Sequence, residues 1–328
     1  MKKRLFNGTG FNAGEIGLGA WQIGGSWGED IAEAEALATL HAAVDSGVNF
    51  IDTADVYGDG RSETLIGRFL KEVSQPLFVA TKLGRGGDPG WPGNFTLEAM
   101  RAHTEASLRR LGVETLDLIQ LHCIPTEEFR KGEVFDHLRT LQGEGKIRHW
   151  GASVESMEEA EICLRQDGLT SLQIIFNIFR QKPIDTIFDR VKAQNVGIIV
   201  RLPLASGLLS GKLTKDTQFA ESDHRNFNRD GQFFNVGETF AGLPYETGVE
   251  LADQLKPLVP EGLTLAQMSL RWILDHDAVS VVIPGARNPA QAQSNAAASD
   301  LPPLSPELHA RLRKIYVEQV AGQIRGPY

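Results

Sequence analysis

The chain has 328 residues, 41% hydrophobic and 23% charged, an ordinary globular composition with enough apolar surface for a large core. Its 33 Lys and Arg stand against 42 Asp and Glu, and the net charge of −9 speaks against nucleic-acid binding and against an anionic membrane surface. No stretch approaches the ~20 apolar residues of a membrane span, and Cys123 and Cys163 make no disulfide framework, so a cytoplasmic location is expected.

Residues 1–14 contain the turn-like Asn7-Gly8-Thr9-Gly10 and are expected to form a short hairpin that plugs the N-terminal end of the main domain. From there, short β-rich runs alternate with longer helical segments. The runs are 15–21, 48–54, 77–82, 116–122, 149–154, 172–177, 197–204 and 279–285. They are rich in Val, Ile and Leu and mostly do not alternate with polar residues, the mark of parallel strands covered on both faces. Between them, residues 31–46 carry apolar side chains at helical spacing and stop at Gly47. Thr96 precedes a helix that ends before Gly112, Ser156 caps another, and Asn288-Pro289 supplies a cap and first turn. Eight strand–helix repeats without a linker-like boundary fit a (β/α)8 TIM barrel spanning residues 1–328 as one domain. A doubly wound sheet is the alternative on pattern alone. Residues 213–245, after the seventh strand, form a long polar stretch of the kind that is a lid, a binding loop or disordered.

Barrel enzymes carry their chemistry where the strands end. Asp52 follows Val-Asn-Phe-Ile, Lys82 closes its run, His122 closes the next, and Tyr57 lies five residues beyond Asp52. Each has an ordinary explanation alone, as a cap, a solvated cation, a loop aromatic or a structural histidine. Together on one barrel face they form a sharper pattern. Metal-ligand spacings of the CxxC, HExxH and EF-hand kinds are absent from the sequence, and no metal site is expected.

The segments FIDTADVYG (50–58), VATK (79–82) and IQLH (119–122) resemble the signatures of the aldo-keto reductase family, in its order. The likeness extends to 15–21, 147–153, 202–212 and 283–295. It implies a barrel that binds NADP(H) without a Rossmann domain, a small carbonyl compound as substrate, and Asp52, Tyr57, Lys82 and His122 as the catalytic tetrad. The sequence agrees: GLGAWQ has Gln22 where a third glycine of GxGxxG belongs, and Gly211-Lys212 is followed by Leu213, so it is no P-loop. The chemistry also stands on its own. Reducing a carbonyl needs a hydride at carbon and a proton at oxygen. Tyr57 can give the proton, Lys82 is expected to lower the phenol pKa, Asp52 to hold Lys82, and His122 to orient the carbonyl oxygen.

The resemblance also implies the cofactor residues. Ala20, Trp21 and Asp52 flank the nicotinamide ribose, and Ser153 and Gln173 its carboxamide, although Val154 stands where the serine's asparagine partner is usual. Arg201 replaces a ring-stacking aromatic and stacks on the nicotinamide or forms an ion pair. Leu202, Pro203, Leu204, Ser206, Gly207, Leu208, Ser210 and Lys212 would embrace the pyrophosphate. Gly285, Arg287, Gln291 and Asn295 would hold the adenosine end, the last three sharing one helix face. Trp21, Trp27 and Trp91 are candidates to line the substrate pocket. Two other readings compete: a cofactor-sensing subunit with little turnover, as some family members are, and a Schiff-base aldolase acting through Lys82.

Overall fold

A computed structural model describes residues 1–25 and 31–328 of the chain. The hairpin forms from β1 (Lys3–Phe6) and β2 (Phe11–Gly14), paired antiparallel from Lys3↔Gly14 to Phe6↔Phe11. The eight expected strands all form: β3 (Leu18–Gly19), β4 (Phe50–Asp52), β5 (Phe78–Leu83), β6 (Leu116–His122), β7 (Ile147–Ser153), β8 (Ser171–Ile175), β9 (Gly197–Arg201) and β10 (Val281–Val282). Each pairs in parallel with its sequence neighbour, and bridges Ile16↔Val282 and Gly19↔Gly285 join the last to the first. The result is a (β/α)8 barrel; the doubly wound alternative is excluded by this strand order.

The helices packed outside include α1 (Glu33–Asp45), α2 (Arg61–Phe69), α3 (Leu97–Leu111), α4 (Glu133–Gly143), α5 (Met157–Cys163), α6 (Phe188–Ala193), α7 (Leu265–Leu274) and α8 (Pro289–Ala297). The caps read from sequence are present. The Thr96 side chain accepts from Ala99 N, Ser156 from Glu159 N and Asn288 from Gln291 N, and Gly112 ends α3 in the left-handed region.

Alternation along the strands sorts the barrel interior into layers. The lower layers are apolar: Phe50, Phe78, Ala80, Leu118, Ile199, Val281 and Ile283 cluster with Phe6 and Ala13 of the hairpin. Phe6 meets Phe50 and Phe78 edge-on at 5.3 and 5.4 Å, and so stoppers the barrel's N-terminal end. Gly197 makes room for it, since a Cβ there would stand 2.4 Å from the Phe6 ring. Further toward the C-terminal ends of the strands, the interior turns polar with Asp52, Lys82, Gln120, His122, Ser153, Gln173 and Arg201, all buried.

After β9 the chain makes a 3-10 turn (Ala205–Ser210), a short helix (His224–Phe227) and two further 3-10 turns (Val236–Glu238, Phe240–Gly242). Its phenylalanines have partners. Phe219 packs at 5.9 Å on Phe240 and 5.7 Å on Tyr245, and the Arg225 guanidinium lies 4.4 Å over it. Arg325 clasps this excursion from afar, donating to Gly242 O at 3.0 Å, Asp230 Oδ1 at 2.6 Å, Arg229 O at 3.3 Å and Leu243 O at 3.1 Å. No helix among the described residues is long and apolar enough to cross a membrane.

Candidate active site

The strand ends bring Asp52, Tyr57, Lys82 and His122 together. Lys82 Nζ, fully buried, donates to Asp52 Oδ1 at 2.5 Å, Thr53 O at 2.8 Å and Tyr57 Oη at 3.2 Å. Those three acceptors use all three ammonium hydrogens. The other Asp52 oxygen accepts from Gln173 Nε2 at 2.7 Å and Gln120 Nε2 at 3.1 Å. Tyr57 reaches this cluster because its loop lies against the turn 21–24. Gly58, at φ +62°, and Gly24 pass so closely that a Cβ on Gly58 would stand 2.0 Å from Gly24 O. The Tyr57 ring meets His122 edge-on at 5.8 Å and lies 6.4 Å from Trp21.

Burial opposes charge on Lys82, Tyr57 and His122, and neighbours outweigh it only at Lys82. Desolvation disfavours the Lys82 ammonium, but Asp52 and Tyr57 outweigh it and the net shift is upward. For Tyr57, burial raises the phenol and Lys82 offsets only part of that, so the net shift is also upward, against the lowering expected from sequence. His122 is held well below the ordinary imidazole value by burial, then by Arg85 and Lys82, and its Nδ1 is buried without a hydrogen-bond partner. At neutral pH the arrangement is a neutral phenol, a charged lysine and a neutral imidazole around one corner of the barrel mouth. Such a set can give a proton, support the resulting phenolate and hydrogen-bond an oxygen.

Beside the tetrad lies a half-buried charge cluster that the sequence did not reveal. Arg85, after β5, holds both oxygens of Glu238 (Nη2–Oε1 2.5 Å, Nη1–Oε2 3.5 Å) and reaches Glu155 Oε1 at 3.2 Å. Arg201 lies 3.4 Å from Glu238 Oε2 and donates to Val154 O at 3.2 Å and Cys123 Sγ at 3.3 Å. Arg201 thus forms the ion pair that is one of its two expected roles. The two guanidiniums hold the Glu238 carboxyl well below its usual range despite burial, whereas burial and Glu238 itself push Glu155 up to about 8. Ligand atoms of Cys123, Glu155 and Glu238 lie within 4.8 Å of one another, yet both arginines already sit among them as counter-cations. Cys123 does not follow strand alternation, because at φ +47° it has left the strand; burial pushes its thiol up to about 11, which makes it a poor nucleophile.

The proposed cofactor residues lie at strand ends, in the turn after β9 and at the start of α8. Ser153 Oγ lies 3.4 Å from Gln173 Oε1, which ties the pair to Asp52. Between Leu202 and Gly211 the backbone curls through positive φ at Leu202, Ala205, Ser206, Gly207 and Gly211, with Pro203, Leu204 and Leu208 between them and an exposed Lys212 at its end. The Ser206 hydroxyl donates to Glu238 O and Ser210 to Gly207 O, so both are turned into the loop's own framework. At α8, Gln291 Oε1 accepts from Arg287 N at 2.9 Å and Asn295 Nδ2 donates to Gly285 O at 3.1 Å, so both amides fold back on the segment 285–287 that precedes the helix. A Cβ on Gly285 would stand 2.2 Å from Gln22 Oε1, itself buried without a partner, and Ala20 is fully buried behind half-buried Trp21. A turn through positive φ ending in a lysine and a helix N-terminus preceded by an arginine suit an extended, multiply anionic ligand such as a dinucleotide.

Of the proposed pocket residues, Trp91 is 54% exposed, with its indole donating to Gly84 O at 2.5 Å. Trp27 lies outside the described residues.

The model of the aldo/keto reductase family matches residues 15–317. The chain is 31% identical over 297 residues to aldo-keto reductase YhdN of Bacillus subtilis, covering 87% of this chain and 85% of that one. It is similar in structure to the glycerol dehydrogenase AKR11B4 from Gluconobacter oxydans (TM-score 0.76, 30% identity, 97% and 96% of the two chains). It is similar also to an aldo-keto reductase from Klebsiella pneumoniae crystallised with NADPH (TM-score 0.70, 25% identity, 99% of each chain).

Proposed function

The chain belongs to the aldo/keto reductase family, and on that premise we propose that it is an NADP(H)-dependent oxidoreductase that reduces an aldehyde or ketone to the alcohol, with Tyr57 as proton donor. The observation that carries this is the Lys82 ammonium with all its hydrogens committed, one of them to the Tyr57 oxygen at 3.2 Å. A neutral phenol with a fixed cation at its oxygen can release a proton as the substrate oxygen gains charge, and the phenolate left behind is stabilised where it forms. His122, neutral and with Nδ1 unpartnered, orients the substrate oxygen toward Tyr57. Asp52, Gln120 and Gln173 keep Lys82 in place.

NADPH, when bound, supplies the hydride. The backbone turn 202–211 and Lys212 would hold its pyrophosphate, and Arg287, Gln291 and Asn295 its adenosine end. Ser153 and Gln173 would hold its carboxamide, beside Ala20 and Trp21. The Klebsiella relative's complex with NADPH supports this choice. Arg201, committed to Glu238, would fix the loop that carries it instead of stacking on a ring. All 328 residues would serve one site as one unit, in a cytoplasm that keeps both cysteines as the free thiols seen here.

A Schiff base needs an uncharged amine, and the three acceptors around Lys82 Nζ together with its raised pKa disfavour one. Steady-state NADPH oxidation across a panel of aldehydes, ketones and sugars tests the reading, with tight cofactor retention and no turnover pointing to a sensor. Tyr57→Phe is expected to keep NADPH binding and lose about 10²–10⁴-fold in turnover. Near-wild-type turnover in that folded variant would refute Tyr57 as the donor.

A further inference from the structure

The long loop after β9 places one side chain, one ring removed from the proposed proton donor, that the tetrad does not account for. His224, in the short helix His224–Phe227, packs its ring on Trp21 with centroids 4.5 Å apart, and Trp21 in turn lies 6.4 Å from the Tyr57 ring. His122, Tyr57, Trp21 and His224 thus form a continuous row of rings leading outward from the barrel mouth. A substrate whose carbonyl oxygen reached Tyr57 and His122 could extend along this row.

The two edges of the His224 ring differ. Nδ1 lies 3.4 Å from Asp223 Oδ1, and Asp223 is itself clamped by the Arg225 guanidinium at 2.5 Å. Nε2, on the opposite edge, is buried with no hydrogen-bond partner, while the side chain as a whole is 12% exposed. A buried polar atom left unpaired costs stability, and such atoms in a cleft are commonly completed by a ligand or an ordered water. Burial also pushes the imidazole down to about 4, more than Asp223 restores, so the ring is neutral. A neutral imidazole nitrogen either donates or accepts according to tautomer, and a hydroxyl satisfies both cases. An anionic group is disfavoured by the Asp223 carboxylate at the same ring.

We propose that Nε2 of His224 is the hydrogen-bond partner of a substrate hydroxyl, so that the site favours hydroxylated aldehydes and ketones over plain carbonyl compounds. The inference rests on the reductase reading above and narrows its substrate class. His224 is a specificity-determining residue here, supplied by the loop to a site otherwise built from strand ends.

Glyceraldehyde and propanal share a three-carbon chain and differ in their hydroxyls. The wild-type protein with NADPH is expected to show a kcat/KM at least about tenfold higher for glyceraldehyde. His224→Phe keeps a ring on Trp21 and removes both nitrogens, and is expected to lose about tenfold more on glyceraldehyde than on propanal. His224→Gln, which returns an amide to the position, should keep most of the preference. Thermal unfolding and NADPH titration of both variants verify fold and cofactor site. A wild-type protein indifferent to the hydroxyls overturns the proposal even if neither variant folds. So does an unchanged ratio in His224→Phe, which would mean that water completes Nε2, and so does an equal fall in both variants, which would mean a disturbed loop. No turnover of either aldehyde instead sinks the reductase reading, and this inference with it, a result distinct from equal turnover of the two.

Discussion

Asp55 and Asp52 lie three residues apart in one short motif and meet opposite fates. Asp52 has a partner on each oxygen, whereas neither Asp55 oxygen has a hydrogen bond, and the nearest basic group, His103 Nδ1, is 3.6 Å away. Burial, followed by the Glu63 charge, pushes the Asp55 carboxyl from 3.8 up to about 7. The folded state therefore holds this proton more tightly than the unfolded chain. Its contribution to stability is complete below about pH 3.8 and is lost as the pH rises through about 7. Asp55→Asn cannot ionise, and is expected to melt about 2 °C or more above the wild type at pH 8, with the gap closing as the pH is lowered toward 4. Melting curves across that range decide it, and a gap that does not vary with pH would rule out ionisation as the cause. The same scale shows what the sequence makes legible. Asp52, Lys82 and His122 stand out because ionisable side chains end apolar strands. Gln120 shares the inward phase of His122, two residues away, and alternation could have found it. Glu238 and His224 could not be found this way, because a loop without period gives no rule for where its side chains turn.

At the scale of elements, caps and apolar runs located every barrel strand and the helices Glu33–Asp45, Leu97–Leu111, Met157–Cys163 and Pro289–Ala297, but not the true lengths of the closing strands. The run 279–285 reads as strand throughout, yet the regular strand is only Val281–Val282; Ser280 and Ile283 still donate to Ile198 O and Val200 O, Pro284 has no N–H to give, and Gly285 bridges Gly19. Helix α8 carries a functional expectation. Arg287 precedes its cap, the N-terminus adds partial positive charge, and Gln291 and Asn295 fold back toward residues 285–287. NADPH differs from NADH there by one phosphate. A charge-assisted hydrogen bond of ~1.5–3 kcal/mol corresponds to roughly tenfold or more in affinity. Arg287→Ala is therefore expected to erase most of the preference for NADPH and leave NADH affinity nearly unchanged. Quenching of tryptophan fluorescence by each dinucleotide measures both constants, and equal losses would place the phosphate elsewhere.

Across the whole molecule, chemistry and stability occupy opposite ends of the barrel. The polar layer sits under the C-terminal mouth, while the N-terminal end is closed by a hairpin whose Phe6 is fully buried against Phe50 and Phe78. That plug was legible as a turn signal ahead of the first strand. Its fit, which depends on Gly197 being bare, was not, because the two positions are 191 residues apart in sequence. Phe6→Ala is expected to cost about 3–5 kcal/mol, read as a lowered denaturation midpoint. Turnover of the remaining folded protein at 25 °C should be retained, since Phe6 touches no group of the mouth. A loss of turnover larger than the loss of folded protein would show that the two ends are coupled.

The clasp made by Arg325 has a consequence for anyone who would re-engineer this barrel. Its guanidinium reads three carbonyls and one carboxylate of the loop, and none of those carbonyls is a side chain that a sequence alignment would flag. Transplanting residues 213–245 from a relative, the obvious route to a new substrate range, would leave that cation facing a backbone of different path. The unit of exchange is therefore discontinuous: the loop and residues 324–328 must travel together, as one cassette cut from two places in the gene.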